Sequence, residues 1–224
     1  MNDHPHDRVR GYFTDDRLDL DHDSVMSRAV DVLKTYYRPG LYFTGSAFDR
    51  MIAVSPTDRY TADDIVAVSM LSVQVPPTAA VRLLEGAVND LLQAVPAGAS
   101  LWTNPGLLDE GGAAWALWDS VRGLEGVGPV TTSKLLAAKR PNLVPVFDRY
   151  VSEGLHTGPS FWRFWQDVVR GTVVAGKESL QSLVHTARER AAVPAYVSDL
   201  RVVDVVVWMI ERHGTPADLV EEAP

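Results

Sequence analysis

The sequence predicts an all-α protein, and three observations carry that reading. Apolar residues recur at helical spacing in one segment after another. Proline, glycine and short polar residues stand where such segments begin and end. The run from Val202 to Ile210 is rich in β-branched residues, but no partner strand is evident elsewhere. It is therefore read as a buried helix rather than a strand.

Taken in order, residues 1–22 carry Asp3, Asp7, Asp15, Asp16, Asp19 and Asp21 with three histidines and little apolar content. They read as a loose, acidic N-terminal arm. His4, His6 and His22 lack any fixed spacing for a metal, so a solvated tail is expected and no metal site. The helical domain is expected to span 23–214, with 215–224 as an acidic tail. Asp23 or Ser24 caps a first helix through Tyr37, with Val25, Ala29, Val32, Leu33 and Tyr36 on one face, and Arg38-Pro39-Gly40 ends it. Tyr42, Phe43 and Phe48 are expected to pack on the core, and Thr44-Gly45-Ser46 reads as a turn.

Thr61-Ala62-Asp63-Asp64 is a helix start with a cap and early acids. Pro76-Pro77 interrupts the chain, and Thr78 opens a helix to about Val95. A loop over 96–109 holds Trp102 and Asn104. The next helix runs from Glu110 to Arg122, with Trp115, Leu117, Trp118 and Val121 on its apolar side. Ser160 caps a helix whose Phe161, Trp162, Phe164, Trp165, Val168 and Val169 form an aromatic stripe, read as core. A further helix covers 176–192, and Ser198 opens the last.

Length and composition bound the function. At 224 residues the chain can hold one domain, or two small lobes, around a sizeable core. With no cysteine it has no disulfide, no thiolate zinc site and no cysteine-bound iron–sulfur cluster. The N-terminus has no apolar segment of signal-peptide type, and no apolar run reaches membrane-spanning length. A cytoplasmic protein without a membrane partner is expected. The net charge of −8 argues against a surface coated in positive potential, so any DNA contact needs a local basic face.

The stretch that organises the chain is 121–151. Leu124-Glu125-Gly126-Val127-Gly128 reads as a tight hairpin, and a helix starts at Pro129. The glycines let the backbone turn sharply and approach something outside it. Proline suits the first helical position because its missing N–H has no partner there anyway. Amides at the hairpin and helix start form an anion site, with phosphate the usual anion. The bland alternative is a packing corner between two helices. Lys134, Lys139 and Arg140 add local positive charge. Lys134 leans towards phosphate by its nearness to the hairpin, while Lys139 and Arg140 fit a solvated helix end equally well. Twenty residues after Gly128 stands Asp148, behind Pro145-Val146-Phe147.

Gly126-Val127-Gly128, with Leu124 before it and Thr131 after it, resembles the helix-hairpin-helix of the endonuclease III-like DNA glycosylases. Asp148 falls where that superfamily carries its catalytic aspartate. The resemblance is close over roughly thirty residues. More loosely, and over most of its length, the chain resembles an uncharacterised family of actinobacterial proteins, which implies no activity. The glycosylase resemblance implies a two-lobed helical fold of about ten helices and a role in base excision repair. It implies duplex DNA held by its phosphate backbone on Leu124, Glu125, Gly126, Val127, Gly128, Thr131 and Lys134, and a flipped base in a pocket to which Trp102, Trp115 and Trp118 are candidates. Asp148 would stabilise the cationic sugar and direct water. No cofactor and a monomer are implied.

Three departures narrow the reading. Glu125 stands where glycosylases usually carry proline. Val130 stands where bifunctional members carry lysine, which removes Schiff-base strand cleavage. The iron–sulfur cysteines are missing. Two alternatives stay open: a binding module of the same fold in which Asp148 is only a helix cap, and an interaction protein that has lost DNA binding.

Overall fold

The computed structural model describes residues 4–14, 22–40, 43–171 and 178–214. Every regular element among them is helical, and none is a strand. They are α1 (Pro5–Arg10), α2 (His22–Tyr36), α3 (Gly45–Ile52), α4 (Ala62–Ser69), α5 (Pro77–Leu84), α6 (Asn89–Ala94), a 3₁₀ turn (Pro105–Leu108), α7 (Ala113–Arg122), α8 (Pro129–Lys139), α9 (Arg149–Gly154), α10 (Phe161–Arg170), α11 (Leu180–Arg190) and α12 (Asp199–His213). No helix among the described residues is long and apolar enough to cross a membrane.

The chain divides into two compact units. One takes residues up to 42 together with everything from Asp148 onward, and the other is Phe43–Phe147. The second unit is thus inserted between two halves of the first.

In the inserted unit α8 is the central element and packs against α4 and α7. Every residue from Thr132 to Lys139 is buried. Leu135 and Leu136 are fully so, each stabilising the unit by about 1.5–3 kcal/mol. The start of α4 is a capping box, in which the Asp64 carboxylate accepts the Thr61 backbone N–H at 2.7 Å.

In the other unit α12 packs against α2, α9 and α11. Residues Leu200 to Val207 are all buried. The β-branched run is therefore a buried helix, opened by Ser198, whose hydroxyl accepts the Arg201 N–H at 3.1 Å. The aromatic stripe of α10 is core, with Phe161, Trp162, Phe164, Trp165 and Val168 buried.

Two expectations are corrected. The arm is not loose over residues 4–14. Proline sits in the first turn of α1, and His4 Nδ1 accepts the His6 N–H at 3.2 Å. Val9 and Phe13 are fully buried, and Arg8 donates to the carbonyls of Leu155 and His156. Two apolar residues one turn apart are enough to dock a short helix when a surface waits for them. The helix expected from Thr78 to Val95 is split. Gly86 has φ +86°, the Ala87 N–H reaches the Arg82 carbonyl and the Gly86 N–H reaches that of Leu83. That is a Schellman ending, and α6 starts anew at Asn89. Ser160 makes no side-chain cap to α10. Residues 1–3, 15–21, 41–42, 172–177 and 215–224 lie outside the described residues, and with them most of the arm's aspartates, Tyr42 and the acidic tail.

Candidate nucleic-acid interface

The hairpin joins α7 to α8. Gly126 has φ +75°, a conformation that glycine alone adopts without strain. A Cβ there would stand 2.9 Å from Cγ of Pro76, so the turn is also pressed against the start of α5. Gly128 differs. Its φ is −89° and its ψ 171°, which any residue adopts, and a Cβ there would meet nothing within 4 Å. The protein's own packing therefore does not require glycine at 128.

The polar groups of the turn divide the same way. Val127 is turned inward, at 1% exposure. Its N–H donates to the Leu124 carbonyl and its carbonyl accepts Arg122 Nη1 at 2.6 Å. The Gly128 carbonyl accepts both the amide and the hydroxyl of Thr132. The amides of Gly126, Gly128, Val130 and Thr131 have no acceptor among the described residues. Gly126 is exposed, and Gly128, Val130 and Thr131 are half-buried. This is an array of backbone donors at the positive end of an eleven-residue helix.

Beside it, Gly123, Leu124 and Glu125 face Pro77, Thr78, Val81 and Arg82 of α5 across a groove of ≈ 650 Å³. Arg122 and Arg82 are both exposed and supply positive charge beside the turn, while Glu125 is an exposed acid on its tip. Neither arginine stands out in the sequence, because each sits at the end of an ordinary amphipathic helix.

The cations that did stand out are elsewhere. Lys134 is 4% exposed, and its ammonium donates to the Leu71 carbonyl at 2.7 Å. It is not a phosphate ligand in this arrangement, because its side chain points into the unit to satisfy a carbonyl at the end of α4's loop. Lys139 and Arg140 are neither solvated nor phosphate-facing. Lys139 is ion-paired with Asp64, a residue of 0% exposure, and donates to Ser55 Oγ at 2.9 Å and the Pro56 carbonyl at 2.8 Å. Burial lowers its pKa below the ordinary 10.5, opposed by the hydrogen bond and charge of Asp64. Arg140 donates to the Leu92 and Val95 carbonyls at the end of α6 and to that of Thr57. Burial likewise lowers its pKa. Val127 is the other correction among the hairpin residues, since both its side chain and its backbone are spent on the turn itself.

The three tryptophans offered for a base pocket are half-buried in the inserted unit. Trp115 Nε1 donates to the Leu108 carbonyl at 2.9 Å, which ties α7 to the 3₁₀ turn. None of the three lines the groove beside the hairpin. On α7 the buried residues are Ala114, Leu117 and Val121, with Trp115 and Trp118 at the margin.

Asp148 opens the other unit. It is the N-cap of α9, with Oδ1 accepting the Tyr150 N–H at 2.9 Å. Its second oxygen has no hydrogen bond among the described residues, and the side chain is half-buried. The run before it is fixed from α8. Ser133 Oγ donates to the Pro145 carbonyl at 3.1 Å and accepts the Phe147 N–H at 2.6 Å. Ser133, buried at 0%, thus ties the helix that follows the hairpin to the peptide directly before Asp148. A serine inside a helix gives no sign of this in the sequence.

No curated protein and no solved structure is significantly similar to the chain. A family model does match, over residues 29–211, and its description is that of a family of unknown function, DUF6308. That span includes the hairpin, the groove and Asp148 and leaves α1 outside. The chain belongs to this family of unknown function.

Proposed function

We propose that the protein binds the phosphate backbone of duplex DNA through the 124–131 hairpin, and that it is a monofunctional DNA N-glycosylase acting through Asp148. The observation that carries the reading is the set of four amides without acceptors, around a glycine that the internal packing does not need. A phosphate oxygen satisfies such donors, and the absence of a Cβ at Gly128 lets it come close. The resemblance to the helix-hairpin-helix supports the same ligand.

For Asp148 the support is its spacing from the hairpin and its unengaged second oxygen. Loss of a base from deoxyribose builds positive charge on the sugar. A carboxylate fixed by one oxygen keeps the other for that charge, or for the attacking water. A Schiff-base route has no support. Val130 is not an amine, and Lys134 is turned to Leu71.

One observation favours a second reading, a DNA-binding module without chemistry. The Asp148–Tyr150 bond is a complete structural role for an aspartate. Asp148→Asn separates the two, since asparagine caps about as well but carries no charge. Parent and variant are incubated with duplexes bearing a panel of damaged and modified bases, and abasic sites are revealed by alkali. The expected result is equal DNA affinity, with base release lower in the variant by on the order of a hundredfold, about 2.7 kcal/mol. Equal release by both would remove Asp148 from the chemistry. Binding without release by the parent would leave the module reading.

A further inference from the structure

The C-terminal end of α12 and the start of α9 form a stack of guanidinium groups and rings within one unit. Arg212 lies 5.4 Å from the ring centroid of Tyr150 and 5.3 Å from that of Trp208. Arg149 lies 5.1 Å from the same Tyr150 ring. Both arginines are exposed. Cation–π contact with two rings positions the Arg212 guanidinium without using its N–H groups as hydrogen-bond donors. Those donors make no hydrogen bond and no ion pair among the described residues.

Neither nearby carboxylate is ion-paired with Arg212. Glu211, next to Arg212 in the chain, accepts the Tyr12 hydroxyl at 2.6 Å. Burial and that carboxylate raise the Tyr12 pKa, so the hydroxyl keeps its proton. Glu153 reaches Arg149 at 3.7 Å, but both side chains are more than two-thirds solvent-exposed, and such pairs contribute little. The bland account is that Arg212 complements the negative end of the α12 dipole. That accounts for its sign, but not for its place against two rings.

We infer that Arg212, with Arg149 beside it, is a second phosphodiester contact, carried by the unit that contains Asp148 rather than by the hairpin's unit. The inference rests on the DNA reading above. A guanidinium placed by two rings offers the bidentate fork that a phosphate takes, and Arg149 follows directly on Asp148. The strand is thereby held where the sugar chemistry would occur.

The test is fluorescence anisotropy with a labelled duplex, across a salt series, on the parent, Gly128→Val, Arg212→Gln and Arg149→Gln. Thermal melting checks that each is folded. Arg212→Gln is expected to weaken binding by roughly tenfold, as for loss of one charge-assisted contact. It should also lower the log–log salt slope by about one. Arg149→Gln should act in the same direction and less. Loss of binding in Gly128→Val with no change in either arginine variant would overturn the inference and leave the hairpin reading intact. No binding by the parent would overturn both. Polyglutamate competing as well as the duplex, with the same dependence on Arg212, would assign the stack to an acidic peptide and overturn the inference.

Discussion

The two ends of α8 carry opposite kinds of polar group, and the fold treats them in opposite ways. At the N-terminal end the donors are backbone amides, and those of Gly126, Gly128, Val130 and Thr131 have no acceptor among the described residues. At the C-terminal end the donors are Lys139 and Arg140, both 2% exposed, and every carbonyl they reach belongs to the same unit. The charge in the sequence sits at the second end, yet it is the first that keeps donors without an acceptor among the described residues. A long flexible side chain can turn inward to a carbonyl that needs it. An amide at a helix start cannot turn, because the helix fixes its direction.

The sharpest way to break this comparison is at Lys139. Lys139→Met leaves the Asp64 carboxylate buried without its counter-charge. The expected loss is about 3–5 kcal/mol, or a fall in Tm on the order of 10 °C. Adding Asp64→Asn should recover part of it, because no charge is then stranded. Should Lys139→Met melt within a degree or two of the parent, the Lys139–Asp64 pair does not anchor the unit.

The glycines give the next effect. Gly126→Ala meets Pro76 and a left-handed backbone, so a loss of about 1–2 kcal/mol is expected. Gly128→Ala should be neutral, or stabilise by up to about 1 kcal/mol, since its conformation is ordinary and its surroundings empty. Gly128→Val should reduce DNA affinity with no matching change in Tm. Denaturant curves and anisotropy on the same samples decide it, and equal behaviour of the two glycines would make the whole turn a packing corner.

The smallest expected effect is alkaline. Tyr60 is buried beside Lys139, and its hydroxyl donates to the Leu135 carbonyl at 3.1 Å. Burial, and then the Asp64 charge, raise its pKa above the ordinary 10.0. In the folded protein it keeps its proton when the unfolded chain has lost it. Its contribution to stability is therefore present below pH 10.0 and declines as pH rises above that value. Lys139 works in the other direction. Its folded pKa lies below 10.5, so its contribution grows with pH up to that value. Tyr60→Phe should make the alkaline fall in Tm shallower, and an unchanged slope would place the titration elsewhere.

Much of the architecture was legible because it rests on local signals. The Thr61–Asp64 capping box, the Ser198 cap and the aromatic stripe of α10 each follow from residues within one or two turns. The β-branched run of α12 was legible for a different reason: a strand needs a partner, and the sequence offers none. What was misread depends on contacts distant in sequence. Val9 and Phe13 look too few to order an arm until α10 and α11 supply the surface that α1 docks on. Lys134 looks like a phosphate ligand until Leu71, 63 residues away in the chain, presents a carbonyl to it.

The candidate site divides along the same line. By itself the sequence determined the helical class, the turn at Gly126, the helix start at Pro129 and the interval to Asp148, because each is a matter of backbone conformation or counting. Tertiary structure alone decided that Gly128 and not Gly126 is the open glycine, that Val127 is core, and that Lys134, Lys139 and Arg140 serve the interior. It also gathered Arg149, Tyr150, Trp208 and Arg212 into one stack. Whether a donor is spent or available depends on which acceptors the rest of the chain brings within hydrogen-bond reach, and that is a property of the packed unit rather than of any one segment.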